Sequence, residues 1–136
     1  MARPPLASKM RIPAALILAG YWLCMFVGTH IPNPDQLVSP DLWDKALHAT
    51  AYAGLTALVL FNLRLRGPLR WSLLPLVVAA AGLVGLFDEV TQIPVGRDFE
   101  WLDLAADLTG AITATILVSA GLAALDRWPG RRLREA

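Results

Sequence analysis

Residues 73–87 read LLPLVVAAAGLVGLF, a run of 15 residues without a charged side chain. The hydrocarbon core of a bilayer is about 30 Å thick, and a helix needs about 20 mostly apolar residues to cross it. A helix built on this run must therefore extend to about residues 71–93, and it carries Asp88 and Glu89 into the boundary of the bilayer. The stretch predicts a membrane-spanning helix that brings carboxylates to one membrane surface.

Three further stretches of the 136-residue chain approach the same length, so we predict spans at about residues 12–30, 46–63, 71–93 and 104–125. Prolines and glycines at 31–34, 66–68 and 94–96 separate them. The composition agrees, because 56% of the residues are apolar and 17% are charged, against about 25% charged in soluble domains. The single cysteine excludes a disulfide framework, and a net charge of +1 gives no basic field for nucleic acid. We predict one domain over residues 1–136: an all-α, integral membrane four-helix bundle.

Basic residues predict the orientation of this bundle. Ten of the 12 Lys and Arg residues lie in the N-terminal segment, the second loop and the C-terminal segment, and only Lys45 and Arg97 lie in the other two loops. The positive-inside rule then predicts a multi-pass protein of the plasma membrane with both termini in the cytoplasm. The first stretch follows basic residues as a signal peptide would, but no small-residue cleavage site follows it, so we expect it to be retained. The bilayer is the partner that composition predicts.

Acidic residues concentrate at the outward surface. Because the apolar run 49–63 is short, His48 must enter the bilayer with the second span, and Asp107 lies about one turn inside the fourth. Ionisable groups at this depth cost a few kcal/mol unless they are paired or face a wet cavity. Nine of the 11 carboxylates lie in or beside the outward loops: Asp35, Asp41, Asp44, Asp88, Glu89, Asp98, Glu100, Asp103 and Asp107.

Helical spacing indicates which faces these groups share. Small residues below the polar ones would let helix backbones approach closely, as is usual inside membranes. Asp88 is about 100° from Glu89 around the helix, so we expect Glu89, and not Asp88, to face the bundle interior. The three predicted stripes are Asp44, His48, Ala51 and Leu55; Gly82, Gly85, Glu89 and Gln92; and Asp103, Asp107, Gly110, Ala114 and Gly121.

Three functions remain open for the cluster. In a binding protein, Arg97 would hold a phosphate or carboxylate group, because its planar fork suits both. In an enzyme, His48 and Glu89 would form an acid–base pair, although Cys24 lies mid-span and no Ser or Cys nucleophile accompanies them. In a structural protein, the cluster would only clasp the helices within a larger assembly. Within the enzyme hypothesis, one His with carboxylates could alternatively hold a divalent metal, but no paired-histidine spacing is present, so we predict neither a metal nor a cofactor. The candidate site residues are Asp44, His48, Glu89, Gln92, Arg97, Asp103 and Asp107.

The order of these residues resembles that of a known family. Residues 44–52, DKALHATAY, resemble the DKxxHxxxY signature of the VanZ-like membrane proteins, and DEVTQ at 88–92 with GRDF at 96–99 and Leu102-Asp103 resembles their DExxQ…gR…D segment. DLTG at 107–110 continues the resemblance, which covers about residues 12–125. Many members have Asn where this chain has Asp107.

The resemblance implies a cell-envelope membrane protein, and it implies the same seven polar positions as the functional set. The family is named for a protein linked to resistance to teicoplanin, a glycopeptide antibiotic directed at cell-wall precursors. A cell-wall precursor or a lipid-linked compound is therefore the expected ligand, and no partner protein is implied.

Overall fold

The structure is a computed structural model that describes residues 5–31 and 42–127. Within these residues it contains four α-helices, two short 3-10 turns and no strand. Helix α1 runs over Pro5–Thr29, α2 over Leu42–Arg66, α3 over Leu74–Gln92 and α4 over Trp101–Arg127. The 3-10 turns, Trp71–Leu73 and Ile93–Val95, flank α3. The predicted all-α class is confirmed. Asp35, Asp41 and the basic segment from residue 128 onward lie outside the described residues.

All four helices are long and apolar enough to cross a bilayer, over Ala7–Thr29, Asp44–Arg66, Trp71–Val95 and Trp101–Asp126. The chain is therefore a multi-pass membrane protein, as predicted. The helices exceed the predicted spans, since α2 begins at Leu42 and α4 at Trp101. Their first turns contain Asp44 and Asp103, and carboxylates there are stabilised by the positive end of the helix dipole. The polar residues thus extend the helices beyond the apolar runs.

The turn after α3 is decided by proline and glycine. Pro94 lies in the 3-10 turn, and Gly96 ends it in the left-handed region with φ of 86°, a conformation that glycine adopts at little cost. The chain reverses there, and the backbone N–H of Arg97 donates to the carbonyl of Gln92 at 3.3 Å. This reversal places Arg97 beside the ends of the helices.

Helices α2 and α4 form the most extensive contact of the bundle, while α1 lies on α2 and α3 on α4. Gly110 of α4 lies against the backbone of Ala49, and a Cβ at that position would overlap the Ala49 carbonyl. Gly85 of α3 similarly faces Asp107. The predicted close approach at small residues is confirmed at these two positions. Gly121 belongs to the same predicted stripe but is exposed, and the buried face of α4 continues through Thr115 and Ser119 instead. Crossing helices diverge away from their closest approach, so one stripe does not stay buried along the whole helix.

One end of the bundle collects the polar residues. Helices α1 and α3 finish there and α2 and α4 begin there, and the hydrogen bond between Thr29 and Asp88 joins two of them. We call this the polar end. The opposite end carries the Arg64–Asp126 ion pair at 2.9 Å. All seven candidate site residues lie at the polar end, on three helices and the loop before α4.

Candidate functional site

His48 and Asp107 form the innermost pair of the polar end. The Nδ1 atom of His48 lies 2.9 Å from Oδ1 of Asp107, and both side chains are buried. A carboxylate only accepts, so the imidazole donates from Nδ1, and when the ring is neutral its Nε2 atom carries the lone pair. Nε2 faces Oδ2 of Asp103 at 3.7 Å. The predicted partner of His48, Glu89, forms no hydrogen bond with it among the described residues; Nδ1 of His48 contacts Asp107 instead, and Glu89 accepts from the backbone of Glu100.

Lys45 connects α2 to the beginning of α4. Its ammonium pairs with Asp103, with Glu100 at 2.6 Å and with Asp44 at 3.3 Å. The side chain of Asp103 is only 2% exposed, whereas that of Lys45 is 23% exposed. In the sequence Lys45 counts only as a loop charge, so this role was not predicted. Its position three residues before His48, on the same helix, is the signal that could have indicated it.

Both carboxylates of α3 are buried, which corrects the expectation that only Glu89 faces inward. Asp88 is 3% exposed and Glu89 is 1% exposed. They lie on different faces as the helical angle requires, but each face meets protein. Oε2 of Glu89 accepts from the backbone N–H of Glu100 at 2.8 Å. Asp88 accepts from Thr29 on α1 and, at 3.2 Å, from the amide of Gln92.

The end of α1 supplies a second histidine that the sequence analysis overlooked. Nδ1 of His30 lies 2.7 Å from the carbonyl of Phe26 and 3.7 Å from Oδ1 of Asp88. Its Nε2 atom lies 3.0 Å from Oγ1 of Thr91. His30 lies just before the break that contains Pro32. Its position at the end of the first span is the sequence feature that could have indicated its location at the polar end. It belongs to the α1–α3 contact and not to the His48 group.

Arg97 lies on the wall of a pocket of about 270 Å³ between α1 and α2. Its Nη1 atom donates to the carbonyl of Thr29 at 3.2 Å. Among residues 5–31 and 42–127, no carboxylate forms a salt bridge with it. The pocket also contains Cys24, which the sequence analysis had separated from the cluster. The pocket is lined by Cys24, Met25, Gly28, Thr29, Asp44, Leu47, His48, Ala51, Tyr52 and Arg97.

Several buried oxygens of the polar end have no hydrogen-bond partner among the described residues. They include Oε1 of Glu89, Oδ2 of Asp107, Oε1 of Gln92 and the hydroxyl of Tyr52. Three of these four atoms can only accept. Among the described residues, seven carboxylates at the polar end outnumber its cations Lys45 and Arg97. The polar end is therefore acidic and rich in hydrogen-bond acceptors, and its carboxylates are Asp44, Asp88, Glu89, Asp98, Glu100, Asp103 and Asp107.

One subset has the composition of a metal site. Ligand atoms of Asp44, His48 and Asp103 lie within 4.8 Å of one another. The spacing of residues along the chain could not reveal this group, because Asp103 comes from a different helix than the other two.

Comparison of the chain with protein-family models, curated proteins and solved structures finds no match. A functional assignment therefore depends on the residues of the polar end and on the order in which the sequence presents them.

Proposed function

We propose that this protein is a VanZ-like protein of the plasma membrane that binds an anionic group of a lipid-linked or cell-wall compound. The polar end would face the outer leaflet. The observation that carries the proposal is Arg97, a guanidinium on a pocket wall with no carboxylate partner among the described residues. The order of polar residues from Asp44 to Gly110 supports the family and its link to glycopeptide resistance.

The chemistry of Arg97 suits an anion. Among the described residues its side chain makes one hydrogen bond, to the carbonyl of Thr29, which uses one of five N–H donors, so the other donors of the fork can bind phosphate or carboxylate bidentately. Asp107 is held by His48 and Asp103 by Lys45, which reduces their repulsion of a bound anion. Arg97 itself is half-buried, so an ion pair made there is screened less than one at an open surface.

The rest of the pocket suits the apolar portion of an amphiphile. Met25, Leu47 and Ala51 line it together with the polar groups. Its volume of about 270 Å³ is slightly below the usual range for small-molecule sites, about 300–1,000 Å³. The pocket therefore fits a headgroup and the beginning of a chain, while the remainder of a lipid would lie in the bilayer.

Replacing Arg97 by glutamine is expected to weaken anionic ligand binding by about tenfold or more, because a hydrogen bond to a charged group contributes about 1.5–3 kcal/mol. Binding of a polyprenyl phosphate to the protein in nanodiscs, measured by native mass spectrometry, checks this. Arg66→Gln is the matched control, since Arg66 is exposed at the opposite end and its loss removes the same charge. Equal affinities for Arg97→Gln and Arg66→Gln would contradict the proposal.

Orientation is the second part of the proposal, and the bias of Lys and Arg supports it. In a Cys24→Ser background, a membrane-impermeant maleimide is expected to label Asp98→Cys on intact cells and to leave Arg70→Cys unlabelled until the cells are opened. Both positions are exposed in the structure, so accessibility within the protein does not bias the comparison. The reverse labelling pattern would show that the polar end faces the cytoplasm.

A structural role is the second candidate, and a specific observation favours it. Polar contacts at the polar end link α1 to α3, α2 to α4, and α3 to the residue before α4: Thr29 to Asp88, His48 to Asp107, and Glu89 to the backbone of Glu100. Interhelical hydrogen bonds of this kind stabilise membrane bundles without any chemistry. Unchanged lipid binding in Arg97→Gln, together with one protein that always co-purifies in mild detergent, would favour this role over ligand binding.

A further inference from the structure

We propose that Asp44, His48 and Asp103 bind a divalent transition-metal ion such as Zn²⁺, with Asp107 positioning the imidazole. The three ligand atoms lie within 4.8 Å of one another, and His48 and Asp103 are buried. Around zinc, ligand atoms at about 2.1 Å from the ion stand about 3.4 Å apart in a tetrahedral site. A small closing movement of the side chains therefore suffices to bring the three atoms into coordination distance.

The His48–Asp107 hydrogen bond prepares His48 as a ligand. Asp107 accepts a hydrogen bond from Nδ1–H at 2.9 Å. This bond fixes the tautomer of the neutral ring, whose Nε2 lone pair then faces Asp103. Metal-binding histidines commonly donate their other ring nitrogen to a carboxylate, and this partner raises the basicity of the ligand. Asp107 would thus be a positioning residue, one step removed from the ion.

Charge around the site independently indicates a cation. Lys45 already places its ammonium against Asp44 and Asp103, but each carboxylate has a second oxygen that can coordinate an ion. Oε1 of Glu89 and Oδ2 of Asp107 are buried without a hydrogen-bond partner among the described residues. Glu89 interacts electrostatically with Asp103, His48 and Asp107. Because these buried acceptors lack a donor among the described residues, they favour a second positive charge beside Lys45.

The ligand set selects the class of ion. One imidazole with two carboxylates suits Zn²⁺ and similar transition metals, whereas Mg²⁺ and Ca²⁺ prefer oxygen ligands alone. Three protein ligands leave a fourth position open, as in catalytic zinc sites. Asp44 and His48 line the same pocket as Arg97, so an ion held between them is reachable by a ligand in that pocket.

The metal site adds to the proposed function, but its test uses no lipid or anionic ligand. The metal proposal and the ligand-binding proposal can therefore fail independently. Protein purified in detergent and stripped with EDTA is titrated with Zn²⁺ alone, and bound zinc is counted after dialysis. We expect one ion per chain, loss of binding in His48→Ala, and a dissociation constant about 10–100-fold higher in Asp107→Asn, the typical effect of removing a carboxylate that orients a ligand. His30→Gln is the matched control, since it removes the other histidine and leaves the site intact.

Lys45→Met provides an independent arm that does not remove a ligand. Because the ammonium competes with an ion for Asp44 and Asp103, its loss is expected to tighten Zn²⁺ binding. Equal zinc binding by wild type and His48→Ala, or equal losses in His48→Ala and His30→Gln, would overturn the proposal. So would Mg²⁺ displacing Zn²⁺ at comparable concentration, since a site that uses the imidazole strongly prefers the softer ion. Size-exclusion profiles identify variants that are misfolded. If His48→Ala is one of them, the zinc affinity of Asp107→Asn, which keeps the size of the side chain, decides the test.

Discussion

Gly110→Ala is expected to separate α2 from α4 and to lower the stability of the bundle by about 3 kcal/mol, the upper part of the usual range for overpacking. A methyl group at this position would overlap the backbone carbonyl of Ala49, and backbone cannot move aside as a flexible side chain does. Ala49 is adjacent to His48, and Gly110 is nearly one turn from Asp107, so the displacement also breaks their hydrogen bond. Thermal unfolding in detergent, followed by circular dichroism, measures the loss.

Gly121→Ala is the control for this change. It adds the same methyl group to the same helix, but apart from the helix's own backbone no atom lies within 4 Å of the new Cβ, so the unfolding temperature is expected to lie at or slightly above the wild-type value. Alanine also has a higher helix propensity than glycine by about 1 kcal/mol, so intrinsic propensity favours both variants equally. A Gly110→Ala variant as stable as Gly121→Ala would show that α2 and α4 do not pack as closely as described.

Most of the fold was predictable because membrane spans depend on two quantities that the sequence displays. The length of an apolar run determines whether a helix crosses the bilayer, and prolines and glycines indicate where it ends. The close contact at Gly110 was also predictable, because the residue lies on one helical face with Asp103, Asp107 and Ala114. Gly121 shares that face but is exposed. The angle at which two helices cross determines how far along its length a helix stays close to its neighbour. The periodicity of the sequence does not give this angle.

The meeting of the seven candidate residues at one end of the bundle was predictable from the sequence, but their pairings were not. The helical angle correctly separated Asp88 from Glu89, yet it could not show that α3 has protein on both sides: α1 meets Asp88, and the segment before α4 meets Glu89. The same limit concealed His30, whose contacts depend on α1 ending beside α3. Lys45 was missed for another reason. As a basic residue of an outward loop, Lys45 was expected to be solvated, but its long side chain forms an ion pair with Asp103.

Lys45→Met is expected to destabilise the metal-free protein by about 3–5 kcal/mol, the usual cost of leaving a buried charge without its partner. The charge that remains is Asp103, whose side chain is 2% exposed. Glu100 loses its partner too, but half of its side chain is exposed, so water replaces the ammonium there at little cost. The loss therefore comes from Asp103, and thermal unfolding of the EDTA-treated protein in detergent measures it.

Added Zn²⁺ is expected to recover much of that loss, because an ion bound to Asp44, His48 and Asp103 supplies the missing positive charge. Binding at 100 times the dissociation constant contributes about 2.7 kcal/mol to stability, and the gain should exceed that of wild type, where Lys45 competes. Arg64→Met is the control, since it breaks the more exposed Arg64–Asp126 pair at the opposite end and is expected to cost no more than about 1 kcal/mol. Equal zinc responses in Lys45→Met and Arg64→Met would mean that the ion binds elsewhere, whereas a loss in Lys45→Met that zinc does not reverse would leave the polar end a helix clasp without a metal.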